Sequence, residues 1–263
     1  MYRGYKVNLT DLEDNGYIDV ADYVNIGEQL HRENKIDVKN KLESFKDSSG
    51  SLRASQIVAG WFPPIEANVF LSHSHEDEDK VFGLAGFLHA ELGLSSFIDS
   101  GIWGYSDHLL RLLDDEYCYR ESTKTYSYER RNRSTSHVHI MLSIALMKMI
   151  NGCECAMFVD TPNSISPKQY INDGDETGSP WIYSEISMTS LVRRRSLAEH
   201  RGLIAKSSRA MDSISEDLRI QYDVNLSHLI ELTGSKFAAW EKCGRVGTGA
   251  LDALYALERK NGY

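Results

Sequence analysis

Three short apolar runs along the chain, Ala67–Leu71, Ser95–Asp99 and Cys153–Val159, are separated by stretches with helical spacing. Runs of this length between turn signals predict buried strands rather than helices. After the first, Ser74 with Asp77 resembles a capping box, and Val81, Leu84, Ala85, Leu88 and Leu92 keep helical spacing up to a terminating Gly93. Strand, helix, strand implies a right-handed parallel unit. Further helices are predicted over Asp107–Cys118, over His137–Ile150, and from Ser179-Pro180, with serine as N-cap and proline at the first helical position. Such alternation predicts an α/β fold with an open parallel sheet, which binds ligands beyond the carboxyl ends of its strands. Here those ends are Ser72–His75, the glycine-punctuated loop after Asp99 (Ser100–Ser106), and the long loop Asp160–Gly178.

The flanking regions carry weaker signals. Residues 1–64 read as a small helical N-terminal extension, periodic near Ile36–Phe45 and bounded at Trp61-Phe-Pro-Pro64. Residues 65–263 then form the main domain. Within it, residues 119–136 read as a polar insert. In the last third, Gly202–Ala205 and Leu218–Tyr222 read as strands, and Leu226–Leu232 and Ala250–Glu258 as helices of an α-rich elaboration.

Of 263 residues, 41% are hydrophobic and 25% charged, as in globular domains with a sizeable core. No apolar run approaches the roughly 18 residues of a membrane span, and the N-terminus lacks a signal-peptide core, so a cytoplasmic protein is expected. A net charge of −9 argues against broad binding to nucleic acid or an anionic membrane. Cys118, Cys153, Cys155 and Cys243 lack zinc-ligand spacing and read as reduced cysteines.

Trp181 and Glu185 lie four residues apart, so a helix places them on one face, an acid beside a flat apolar wall. On an amphipathic helix the same pair is also compatible with a core tryptophan and a solvated acid. His73 and His75 alternate at a strand end and can point the same way, but no third ligand is evident and no metal is expected. Glu76–Asp79 complement a helix dipole. The Arg-rich segment Glu129–His137 is compatible with a pyrophosphate contact, a subunit contact or a solvated loop, and Arg193–Arg195 with a cationic helix C-terminus.

Val69-Phe-Leu-Ser-His-Ser-His-Glu-Asp77, then Phe97-Ile-Asp99 with Ser100–Ser106, then Trp181-x-x-x-Glu185 together resemble the Toll/interleukin-1 receptor (TIR) domain of bacterial TIR-like proteins over about residues 66–195. The resemblance implies a flavodoxin-like sheet with helices on both faces. It implies cleavage of NAD, as substrate and with no cofactor, at the nicotinamide–ribose bond, yielding ADP-ribose, a cyclic isomer or a conjugate. It further implies self-association, a signalling role in anti-phage defence and a downstream effector that senses the product. Glu185 matches the catalytic position, while Ser72, His73, His75, Asp99, Trp103, Ser179 and Trp181 fall in pocket-lining segments. A non-catalytic TIR interaction module and a nucleoside deoxyribosyltransferase-like enzyme are the alternatives. The chemistry is consistent with a single acid: nicotinamide leaves neutral from a cation, so the demand is to stabilise oxocarbenium-like charge on the ribose.

Overall fold

A computed structural model describes residues 1–33, 42–48, 50–63, 65–167, 175–177, 179–202, 222–224 and 226–259. In chain order the elements are β1 (Arg3–Asn8), α1 (Leu9–Asp14), α2 (Val24–Glu33), α3 (Ala54–Trp61), β2 (Val69–Ser72), α4 (Glu78–Leu92), β3 (Ser96–Ile98) and α5 (Ser100–Tyr117). A hairpin, β4 (Tyr119–Arg120) and β5 (Thr125–Tyr126), leads into α6 (Tyr128–Gly152) and β6 (Cys155–Asp160). There follow β7 (Ser166–Pro167), β8 (Asp175–Thr177), α7 (Pro180–Leu191), α8 (Leu197–Gly202), β9 (Tyr222–Val224), β10 (Ile230–Glu231), α9 (Gly234–Glu241) and α10 (Thr248–Arg259).

Five strands form one parallel sheet in the order β10-β1-β6-β2-β3. Alternation along each strand sends side chains to opposite faces. Tyr5, Val7, Val69, Leu71, Met157 and Val159 pack with α4, α9 and α10 on one face. Phe70, Phe97 and Ala156 pack with α3, α5 and α6 on the other. Strands buried on both faces read as continuous apolar runs, which is why β2 and β6 are legible in the sequence. The helix α4 ends as expected at Gly93, whose φ of +59° suits glycine. Among the described residues no helix is long and apolar enough to cross a membrane. All four cysteines are free.

Several expectations are overturned. The N-terminal region is not a helical extension: β1 lies inside the sheet, paired over six residues with β6, from Arg3 opposite Cys155 to Asn8 opposite Asp160. Its polar residues hide the alternation that buries Tyr5 and Val7 on one face. Ser100–Ser106 is not a loop but the first turns of α5. The insert at 119–136 is a short hairpin followed by the start of α6. That early turn of α6 is held to α5 through Asp114, which accepts from Arg131 at 2.8 Å and from Ser134. Leu226–Leu232 is a turn and the strand β10, not a helix, because Ile230 and Glu231 pair with Tyr5 and Lys6. Of the other weak readings, Ala250–Glu258 is helical within α10. Ile36–Phe45 lies outside the described residues except for a 3-10 turn at Leu42–Phe45. Gly202 ends α8 and Tyr222 begins β9, while residues 203–205 and 218–221 lie outside the described residues.

Candidate active site

Helix α7 begins as its sequence dictates. Ser179 is extended and its Oγ accepts the Ile182 N–H at 3.3 Å, with Pro180 in the first turn. Ile182 and Ile186 then pack against Phe158 of β6 and against Ile165, fixing which face of α7 meets the sheet. The buried stripe on that face is Ile182, Glu185, Ile186 and Thr189. A carboxyl group thus stands in the middle of an apolar stripe, with 0% of the residue exposed. Burying such a group unpaired is costly, so its surroundings must compensate.

The compensation comes from the carboxyl ends of β2 and β3. Ser72 Oγ, at the end of β2, donates to Glu185 Oε2 at 2.6 Å. One residue on, His73 Nδ1 lies 2.7 Å from Asp99 Oδ1, and both side chains are buried. Asp99 follows β3 at the position just before α5. Burial pushes the Glu185 pKa well above the usual carboxyl range, and the Asp99 carboxyl adds to the shift, while the Ser72 hydrogen bond opposes it. For His73, burial lowers the pKa, but the carboxylates of Asp99, Glu78 and Asp77 outweigh it, so the net shift is upward. The cluster therefore holds the protons of Glu185 and His73 to higher pH than in the free side chains.

Among the described residues, neither Glu185 Oε1 nor His73 Nε2 has a hydrogen-bond partner of good geometry, although the Asp99 carboxyl stands close to that of Glu185. Buried polar atoms are nearly always partnered, so two such atoms in one cluster point to a ligand or a second conformation. The cavity touching Glu185, walled by Phe70, Phe158, Ile186 and Leu229, holds about 10 Å³. That is room for about one water.

Ser72, His73, Asp99 and Glu185 are thus brought together, and the remaining candidates are not. His75 starts a 3-10 turn, which breaks the strand alternation and leaves it exposed while His73 is buried, so the two histidines do not converge. Ser179 is a helix cap. Trp181 packs edge-on against His139 of α6 at 5.5 Å between ring centres and does not line the cavity at Glu185. Trp103 falls in the first turns of α5, and its side chain lies outside what the structure describes. Asp77 does not cap a helix through Ser74; its carboxylate accepts from Thr161 Oγ1 and, at 2.9 Å, from Asn163 Nδ2. This bond set ties the loop after β2 to the loop after β6. Thr161 and Asn163 carry no periodic signal, and only their place just past a predicted strand end could have singled them out.

No protein-family model, curated protein or solved structure matches the chain.

Proposed function

We propose that the chain is a TIR-type enzyme that cleaves NAD at the nicotinamide–ribose bond, with Glu185 as the catalytic carboxylate. One observation carries this reading: a fully buried carboxyl group, one of whose oxygens has no partner of good geometry among the described residues, stands beside the carboxyl end of a central parallel strand. The order β3-β2-β6 is that of strands 2-1-3 in a flavodoxin-like sheet, whose ligands bind where the order reverses. Here that reversal lies between β2 and β6, the two strands whose loops Asp77 ties together. In place of a following strand, β1 fills the next position.

A cationic nicotinamide ribosyl group beside Glu185 favours the ionised acid, which offsets the shift that burial imposes. The ionised carboxylate then stabilises positive charge on the ribose as nicotinamide departs neutral. Ser72 holds one carboxylate oxygen and favours the ionised form. Among the described residues the cavity at Glu185 holds about 10 Å³, too little for a dinucleotide, so in this reading turnover requires α7 to move. In this reading self-association triggers that movement, and the product is an ADP-ribose species read by a downstream effector in anti-phage defence. The same small volume favours a second reading, a non-catalytic TIR interaction module.

Nicotinamide release from NAD by the purified chain, dilute and concentrated, separates the two. Turnover that is lost in Glu185→Gln supports the enzyme. Activity surviving that substitution removes Glu185 from the reaction, absence of turnover in every assembly state favours the module, and turnover of free nucleosides alone selects the deoxyribosyltransferase-like alternative.

A further inference from the structure

A much larger concavity lies away from Glu185. A groove of about 810 Å³ runs between α3 and α6 and shares no lining residue with the cavity at the carboxyl cluster. Its volume falls in the range of small-molecule sites, roughly 300–1,000 Å³. Ile57 and Val58 of α3 form one wall, and Leu113 of α5 contributes from the side. The other wall is one face of α6, where residues three or four apart stack in a line.

Along that face the chemistry changes from one end to the other. Arg130, Arg133 and His137 come first, followed by Ile140, Met141 and Ile144. At 1.5 Å per residue the stripe from Arg130 to Ile144 is about 21 Å long. Arg130 donates to the Tyr117 carbonyl at 3.1 Å. The Arg133 side chain is exposed and has no hydrogen bond or ion pair among the described residues. Lys148, also exposed, stands at the far rim. The described lining residues include no Asp or Glu, although acids outnumber Lys and Arg by 38 to 29 in the whole chain.

We propose that this groove binds a free fatty acid, its carboxylate at Arg130 and Arg133 and its chain along Ile140, Met141 and Ile144. An apolar trough supplies the affinity through buried chain area, and two arginines at one end against a single lysine at the other favour one direction for the chain. A head group that stays at the rim keeps its hydration, so no buried charge is created. This assignment accounts for the Arg-rich segment, and it stands whether or not Glu185 cleaves NAD.

The test is calorimetric titration of the full chain with laurate and with dodecyltrimethylammonium, each below its micelle concentration, and with dodecanol below its solubility limit. Laurate is expected to saturate one site in the micromolar range and to bind more tightly than the alcohol, with the cationic chain weakest. Arg133→Glu, at an exposed position the fold tolerates, is expected to weaken laurate about tenfold, equivalent to about 1.4 kcal/mol, and to leave dodecanol unchanged. Ser55→Trp, at the exposed groove edge, is expected to weaken laurate and dodecanol alike. The proposal is overturned if laurate shows no saturable binding, if the cationic chain binds as tightly, or if neither substitution changes laurate affinity.

Discussion

Replacing Glu185 with Gln is expected to make the protein more stable as pH rises, while abolishing nicotinamide release. In the folded chain, burial and then Asp99 hold the Glu185 proton to higher pH than in the unfolded chain. An unfolded glutamate releases its proton near pH 4.3. Above that value, and up to the raised folded pKa, the folded state binds a proton that the unfolded state has lost, so unfolding free energy falls as pH rises. The slope for one such group is about 1.4 kcal/mol per pH unit. Glutamine has nearly the same shape, can accept the Ser72 hydrogen bond, can donate to Asp99, and has no proton to lose. Within that window the variant should gain on the wild type at about that slope as pH rises. Urea denaturation followed by tryptophan fluorescence between pH 5 and 8, with matched m-values, measures the difference; groups titrating alike in both proteins drop out of it. Parallel stability curves, or a variant less stable throughout, would refute the reasoning, because they would mean that Glu185 is already ionised in the folded state. A more stable but inactive variant is the pattern of a site built for chemistry at a cost in stability.

Ser72→Ala removes the bond that opposes the Glu185 shift, so the pKa of Glu185 should rise further and the pH profile of nicotinamide release should move upward; an unchanged profile would separate Ser72 from the acid. Asp77→Ala strips the acceptor from Thr161 and Asn163 and should cost about 2 kcal/mol, seen as a lower Tm; an unchanged Tm would show that the two loops are held by other contacts. Gly27→Ala should destabilise by about 3 kcal/mol despite the better helix propensity of alanine, because its Cβ would stand 1.9 Å from the Phe82 carbonyl oxygen where α2 crosses α4. A stabilised variant would mean that the two helices can part without loss.

Local signals were legible wherever consecutive residues carry the cause. The runs that became β2, β3 and β6 are apolar because each strand meets helices on both faces, and Gly93 and Ser179-Pro180 mark helix ends through backbone geometry of their own. Glu185 stood out as a candidate because Trp181 precedes it by one helical turn, yet in the structure Ile182 and Ile186 are what turn it toward the sheet. Pairing between distant segments left no such trace. β1 joins β6 across about 150 residues, and with Arg3, Lys6 and Asn8 along it, its strand character depends on a partner the local pattern does not name. The same holds for β10, whose two paired residues are too few to show a period.

By itself the sequence determined the alternation of strands and helices, several helix ends and one acid to single out. Tertiary structure alone decided that Glu185 is buried with its pKa raised, that His73 rather than His75 meets Asp99, and that the Arg-rich segment is one wall of a groove. Each of these depends on the field and packing created by residues far apart in the chain, and the charge state of a buried group is set by the neighbours that replace water around it.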